Sequence, residues 1–101
     1  MTAYVIADVQ LTGDAEEVEQ YRANVLVTLE PYGGRFLVRG GEFQVLEGDW
    51  QPGRIVVVEF PSVEAAQAWN DSAAYQEIAP LRIRNTDSKR LLVEGTPGEA
   101  N

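Results

Sequence analysis

The chain has 101 residues, 24% charged and 45% hydrophobic, with a formal net charge of −8 and neither Cys nor His. Such a length fits one domain and buries only about two-thirds of its unfolded surface, so a small core that gains from a partner chain is expected. The composition excludes disulfides, thiolate nucleophiles, iron–sulfur clusters, thiolate zinc sites and serine triads, and the acidity disfavours nucleic acid and anionic membranes as partners.

The first strand reads Tyr4 to Val9, apolar on both sides apart from Asp8. After Thr12-Gly13, Asp14 is a plausible N-cap and Glu17 completes a capping-box-like pattern. Val18, Tyr21, Val25, Leu29 and Tyr32 follow at helical spacing, and Pro31 disfavours helical geometry at Glu30, so the helix ends near there. Gly33-Gly34 turns the chain into a second strand, Arg35 to Arg39. Gly40-Gly41 interrupts that strand, which resumes over 42–47. The pair reads as a tight hairpin turn or a bend in one long strand, and the bend is preferred.

Residues 48–53 form a loop. The β-branched run Arg54 to Phe60 is the clearest strand. Ser62 caps a second helix carrying Val63, Ala66 and Trp69. Asp71-Ser72 recaps a further helical segment, within which Pro80 predicts a kink or break. Arg90 to Glu94 is the last strand. One domain over 1–95 is expected, with a flexible tail over 96–101. Two β-α-β halves give an α+β, ferredoxin-like β-α-β-β-α-β sandwich. No run reaches the roughly 18 apolar residues of a membrane helix, and MTAYVIADVQ lacks a signal-peptide pattern, so a cytoplasmic protein is expected.

The strands do not alternate as a half-wet antiparallel sheet would. Ile55 and Val57 share a face with Glu59, and Val56, Val58 and Phe60 take the other. Tyr4, Ile6 and Asp8 oppose Val5, Ala7 and Val9. Two helices cover one face only. The other would expose roughly several hundred Å2 of apolar surface, which predicts a homodimer with sheets packed face to face.

YVIADV near the start, YGGRFLVRGG at 32–41, VLEGDW at 45–50, RIVVVEFPSVEAAQAW at 54–69 and the Ser72/Tyr75 spacing resemble the domain-of-unknown-function family numbered 1330. The likeness spans about residues 3 to 95, with departures at Pro31, Asn70 and Ala73 that touch a pocket rim more than the fold. It implies a dimeric α+β barrel, an architecture shared with small cofactor-free monooxygenases and stress-responsive barrel domains. It implies no established reaction.

Without histidine, a general base must be a carboxylate, a tyrosine or Lys89. Asp8 and Glu59 are the catalytic candidates. Each is an acid among apolar neighbours, on strands expected to lie side by side and parallel, where two close carboxylates would raise one pKa. The alternative is an ordinary ion pair with Arg35, Arg39, Arg54 or Arg82. Arg39 is a candidate clamp for a substrate carboxylate, or a sheet-end salt bridge. Trp50 lines a pocket mouth or anchors the dimer. Trp69 and Tyr75 read as helix core before ligand contacts, and Tyr4 as core before phenolic donor. Val18, Tyr21, Val25 and Leu29 read as packing.

No metal site and no cofactor are expected. The function so outlined is a small homodimer with a helix–sheet cleft for a small organic ligand, with carboxylate-base catalysis open. Its alternatives are a non-catalytic or stress-associated binding module and a purely structural dimer.

Overall fold

In the computed structural model, residues 1–97 are described. They form β1 (Ala3–Leu11), α1 (Ala15–Leu29), a 3-10 turn (Glu30–Tyr32), β2 (Arg35–Arg39), β3 (Arg54–Phe60), α2 (Val63–Asp71), α3 (Ala73–Ile83) and β4 (Thr86–Glu94). Residues 98–101 of the expected tail lie outside the described part. Its lead-in is tied down, since the Gly95 N–H donates to the Thr2 carbonyl at 2.7 Å.

Local signals set the helix ends. Asp14 accepts from the Glu16 N–H at 2.9 Å, and the 3-10 turn absorbs Pro31 before Gly33 reverses the chain at φ 74°. The reciprocal capping box does not form. Glu17 instead accepts two 2.8 Å hydrogen bonds from Arg84, because a guanidinium fork is a stronger donor than a backbone amide. The Asp14 N–H is satisfied by Asn85 Oδ1 at 2.9 Å. Ser62 and Ser72 cap α2 and α3 by accepting from the Ala65 and Tyr75 N–H groups. The break expected at Pro80 is absent: α3 runs on to Ile83, since a proline removes a single helical N–H and the packing around α3 holds the rest.

The four strands form one antiparallel sheet in the order β2-β3-β1-β4. The parallel pairing expected for the central strands is therefore corrected. α1 returns the chain so that β2 points along β1; the reversal between β2 and β3 then turns β3 against β1. The strand expected over 42–47 is also corrected. β2 ends where Gly40 takes φ 75°, and 41–53 is an irregular, largely exposed connection. Arg39 already pairs with Val56 and β3 begins at Arg54, so a longer β2 would run past the end of its one neighbouring strand. A register shift between Phe36 and Val38 bends the strand instead.

Cross-strand register gives each face a distinct row. Toward the helices, Arg39, Val56, Ala7 and Arg90 stand abreast; on the open face the row is Val38, Val57, Ile6 and Leu91. The helix-side core joins Val5, Val58 and Phe60 to Val25, Leu29, Trp69, Tyr75 and Ala79. The open-side row stays in water, with Leu91 56% exposed. Both faces are apolar, as expected, and α1 to α3 cover only one.

Candidate functional site

Between α1 and the sheet lies a cleft with about 60 Å3 of free space, partly open to solvent. Its floor is Val5, Ala7, Val9, Val56 and Val58, and its roof is Val18, Tyr21, Val25 and Leu29. Ala7, at the centre of the sheet, leaves room that a longer side chain would fill. The stripe read from sequence as packing is thus also the ceiling of a cleft.

Trp69 closes one end. It is 3% exposed, and its Nε1–H donates to the Thr28 hydroxyl at 3.0 Å. The Thr28 hydroxyl in turn donates to the Val25 carbonyl at 2.6 Å. The indole packs against Tyr75 and Phe60, with ring centroids at 4.2 and 5.4 Å. Such contacts add about 0.5–1.5 kcal/mol each beyond burial, so the wall is rigid. The Tyr21 and Tyr75 hydroxyls share a 2.9 Å hydrogen bond, and Arg82 Nη2 donates to Tyr75 at 3.3 Å. Burial and the adjacent Tyr75 push the Tyr21 hydroxyl above its ordinary range. It is held neutral rather than poised as a base.

The polar lining is almost wholly cationic. Arg22, Arg39, Arg54, Arg82 and Arg90, five of the seven arginines, line this one cleft. Arg39 lies 4.2 Å from the Phe36 ring centroid and donates to the Arg22 carbonyl at 2.6 Å. Arg54 donates to the Arg39 carbonyl at 3.0 Å. Burial, with the nearby Arg22 and Arg39 charges, lowers the Arg54 pKa. Arg90 donates to Asn70 Oδ1 at 3.0 Å.

The two catalytic candidates do not meet, which corrects the proposed dyad. Antiparallel register sets Asp8 opposite Ile55 and Glu59 opposite Tyr4, four residues apart along the strand and about 13 Å at strand rise. Both project from the open face. Asp8 accepts from Trp50 Nε1–H at 3.0 Å and from the Gly53 N–H at 2.8 Å; these bonds lower its pKa rather than raising it as a base would need. Glu59 is paired with Arg35 at 2.7 Å. Trp50 lies off the cleft, half in water, as the tether of the 41–53 connection to Asp8. Tyr4 lies on the open face, its hydroxyl 3.4 Å from Thr2 Oγ1. Of the ligand-binding candidates, Arg39 and Trp69 line the cleft.

Sequence reasoning passed over Arg22, Arg54, Arg82, Arg90 and Tyr21 as cleft residues. Arg54 and Arg90 carried a usable signal, since Arg54 begins β3 and Arg90 leads the apolar run of β4, each in phase with the helix-facing residues of its strand. The helical arginines carried none. No group of three or more acidic side chains is placed to hold a metal ion among the described residues.

An antiparallel sheet with helices on one face and this connectivity is the ferredoxin-like α+β fold. A family model for Domain of unknown function (DUF1330) matches residues 2–96, and the chain belongs to that family. No curated protein matches it. Among solved structures, RPA0582 of Rhodopseudomonas palustris, a protein of unknown function, is 20% identical with a TM-score of 0.76 over 95% of this chain and 83% of that one. SnoaB, a cofactor-independent oxygenase from Streptomyces nogalater, is 12% identical with a TM-score of 0.65 over 95% and 94%. A dimeric ferredoxin-like protein of unknown function from Jannaschia sp. CCS1 is 13% identical with a TM-score of 0.68 over 94% and 100%. At these identities the likeness is one of fold. No helix of the described residues is long and apolar enough to cross a membrane.

Proposed function

We propose that the chain works as a homodimer, closed through the uncovered sheet faces, whose helix–sheet cleft in each protomer binds a small organic molecule. The observation that carries the binding reading is the cavity over Ala7, walled by aliphatic side chains and edged by Arg39. The dimer reading is supported by the aliphatic row Val38, Val57, Ile6 and Leu91, which crosses all four strands in water, and by the dimeric protein of the same fold from Jannaschia. An apolar stripe across a whole sheet is costly to leave wet.

Binding is proposed rather than carboxylate-base catalysis, because Asp8 and Glu59 are committed to other partners on the far face. The cofactor-independent chemistry of SnoaB would have to proceed here without them and with a neutral Tyr21. Sedimentation velocity at micromolar concentration tests the assembly: a species of twice 11.2 kDa is expected, and a lone protomer refutes it. A thermal-shift screen against small aromatic and keto-acid metabolites tests the cleft, since a specific ligand raises apparent stability. Ala7→Leu, which fills the cavity, should abolish any such shift; a shift that survives it places the ligand elsewhere.

A further inference from the structure

The cleft described above is far more basic than the protein that holds it. The chain carries a net charge of −8, so an even scatter would surround its few cations with acids. Among the described residues, the acids pair with Arg22, Arg35, Arg84 and Lys89. Arg39, Arg54, Arg82 and Arg90 have no carboxylate within ion-pair distance there, and all four line the cleft.

Arg82 is the sharpest case. It is 6% exposed, and its Nε is buried with no hydrogen-bond partner. A buried cationic donor without an acceptor is expensive, and native structures keep few of them. Its polar neighbours, Tyr21 and Tyr75, are hydroxyls already bonded to each other. Toward the edge, Arg39 and Arg54 are held by main-chain carbonyls rather than by acids. Glycine at position 40 is part of this arrangement: a Cβ there would run into the Arg54 guanidinium, and the residue sits at φ 75°. The backbone has made room for the cation.

From this geometry we infer that the cleft's ligand is a small organic anion, a carboxylate on a flat or short apolar body, with its charge met by Arg39 and Arg54 and its apolar part lying over Ala7 toward Trp69. This rests on the binding reading and adds the ligand's chemical class. Guanidinium forks match the two oxygens of a carboxylate, and the apolar setting strengthens each charge-assisted hydrogen bond. The walls of Val18, Val25, Val56 and Val58 offer nothing to a polar body, so a sugar or an inorganic ion fits poorly.

The test titrates the full-length chain with benzoate and hexanoate, and with their neutral amides, following backbone amide NMR signals of Ala7, Val25 and Arg54 against those of Ile6 and Leu91 on the other face. The acids should shift the cleft signals saturably, and the amides should bind at least about tenfold more weakly, as expected for losing a charged hydrogen bond. Arg39→Gln and Arg54→Gln should each weaken benzoate by about tenfold, and Arg35→Gln, outside the cleft, should not. The acid–amide comparison is made on the unaltered chain, so it stands even if Arg54→Gln fails to fold. Equal binding of acids and amides overturns the anion inference and leaves the binding reading in place. No cleft response to any of the four probes overturns both. Loss of the dimer on Arg39→Gln, with no anion effect, assigns the arginines to an interface and refutes the inference.

Discussion

Thr28→Val tests whether the end wall of the cleft is held by the hydrogen bond found there. The change is nearly isosteric and keeps the β-branch, so α1 loses little. What it removes is the acceptor of the Trp69 indole N–H, 3.0 Å away, and a donor to the Val25 carbonyl. Thr28 and Trp69 are both buried, so no water replaces the lost acceptor. An orphaned buried donor costs about 1–3 kcal/mol. At about 4–8 °C per kcal/mol for a domain of this size, the melting temperature should fall by about 4–24 °C. The assay is thermal denaturation followed by far-ultraviolet circular dichroism, at one fixed protein concentration because a dimer's stability depends on it. A second cycle with Trp69→Phe separates this cause from general loss of packing. With the N–H gone, Thr28→Val should cost about 1 kcal/mol less than in the parent chain. Equal cost in both backgrounds would refute the view that the hydrogen bond positions Trp69.

Other expectations follow from the same contacts. Arg84 and Asn85 hold the Glu17 carboxyl down from 4.5 to about 2. The pairing then stabilises fully above about pH 4.5 and is lost as pH falls toward 2, so Glu17→Gln should flatten the melting-temperature profile in that window. Asp8 is likewise lowered, by Trp50 first and Gly53 next; Asp8→Asn should free the 41–53 connection at neutral pH, read as increased Trp50 quenching by acrylamide. Gly40→Ala should cost about 1–2 kcal/mol for the left-handed backbone, displace Arg54 and weaken benzoate; unchanged affinity would separate Gly40 from the cleft. Leu91→Arg, in the middle of the open-face row, should give protomers in sedimentation velocity without loss of secondary structure.

Much of the fold was legible residue by residue. Asp14, Ser62 and Ser72 marked helix starts, Pro31 marked an end, and the run from Arg54 to Phe60 announced its strand, because caps, prolines and β-branching act within a few residues. Glu17 and the 42–47 segment misled for one reason: each had a plausible local use that a distant partner, or the lack of one, overrode.

Sequence by itself determined that the strands are apolar on both faces and that no histidine or cysteine chemistry exists. Only the tertiary structure decided which side chains share a row. Antiparallel β1–β3 pairing separated Asp8 from Glu59, and the same register set Arg39 and Arg90 on either side of Ala7, with α1 and α3 bringing Arg22 and Arg82 above them. Register is fixed by contacts between residues far apart in the chain, and a slip of one position turns every side chain to the opposite face. The place where the arginines gather is therefore a property of strand pairing, which no local pattern records.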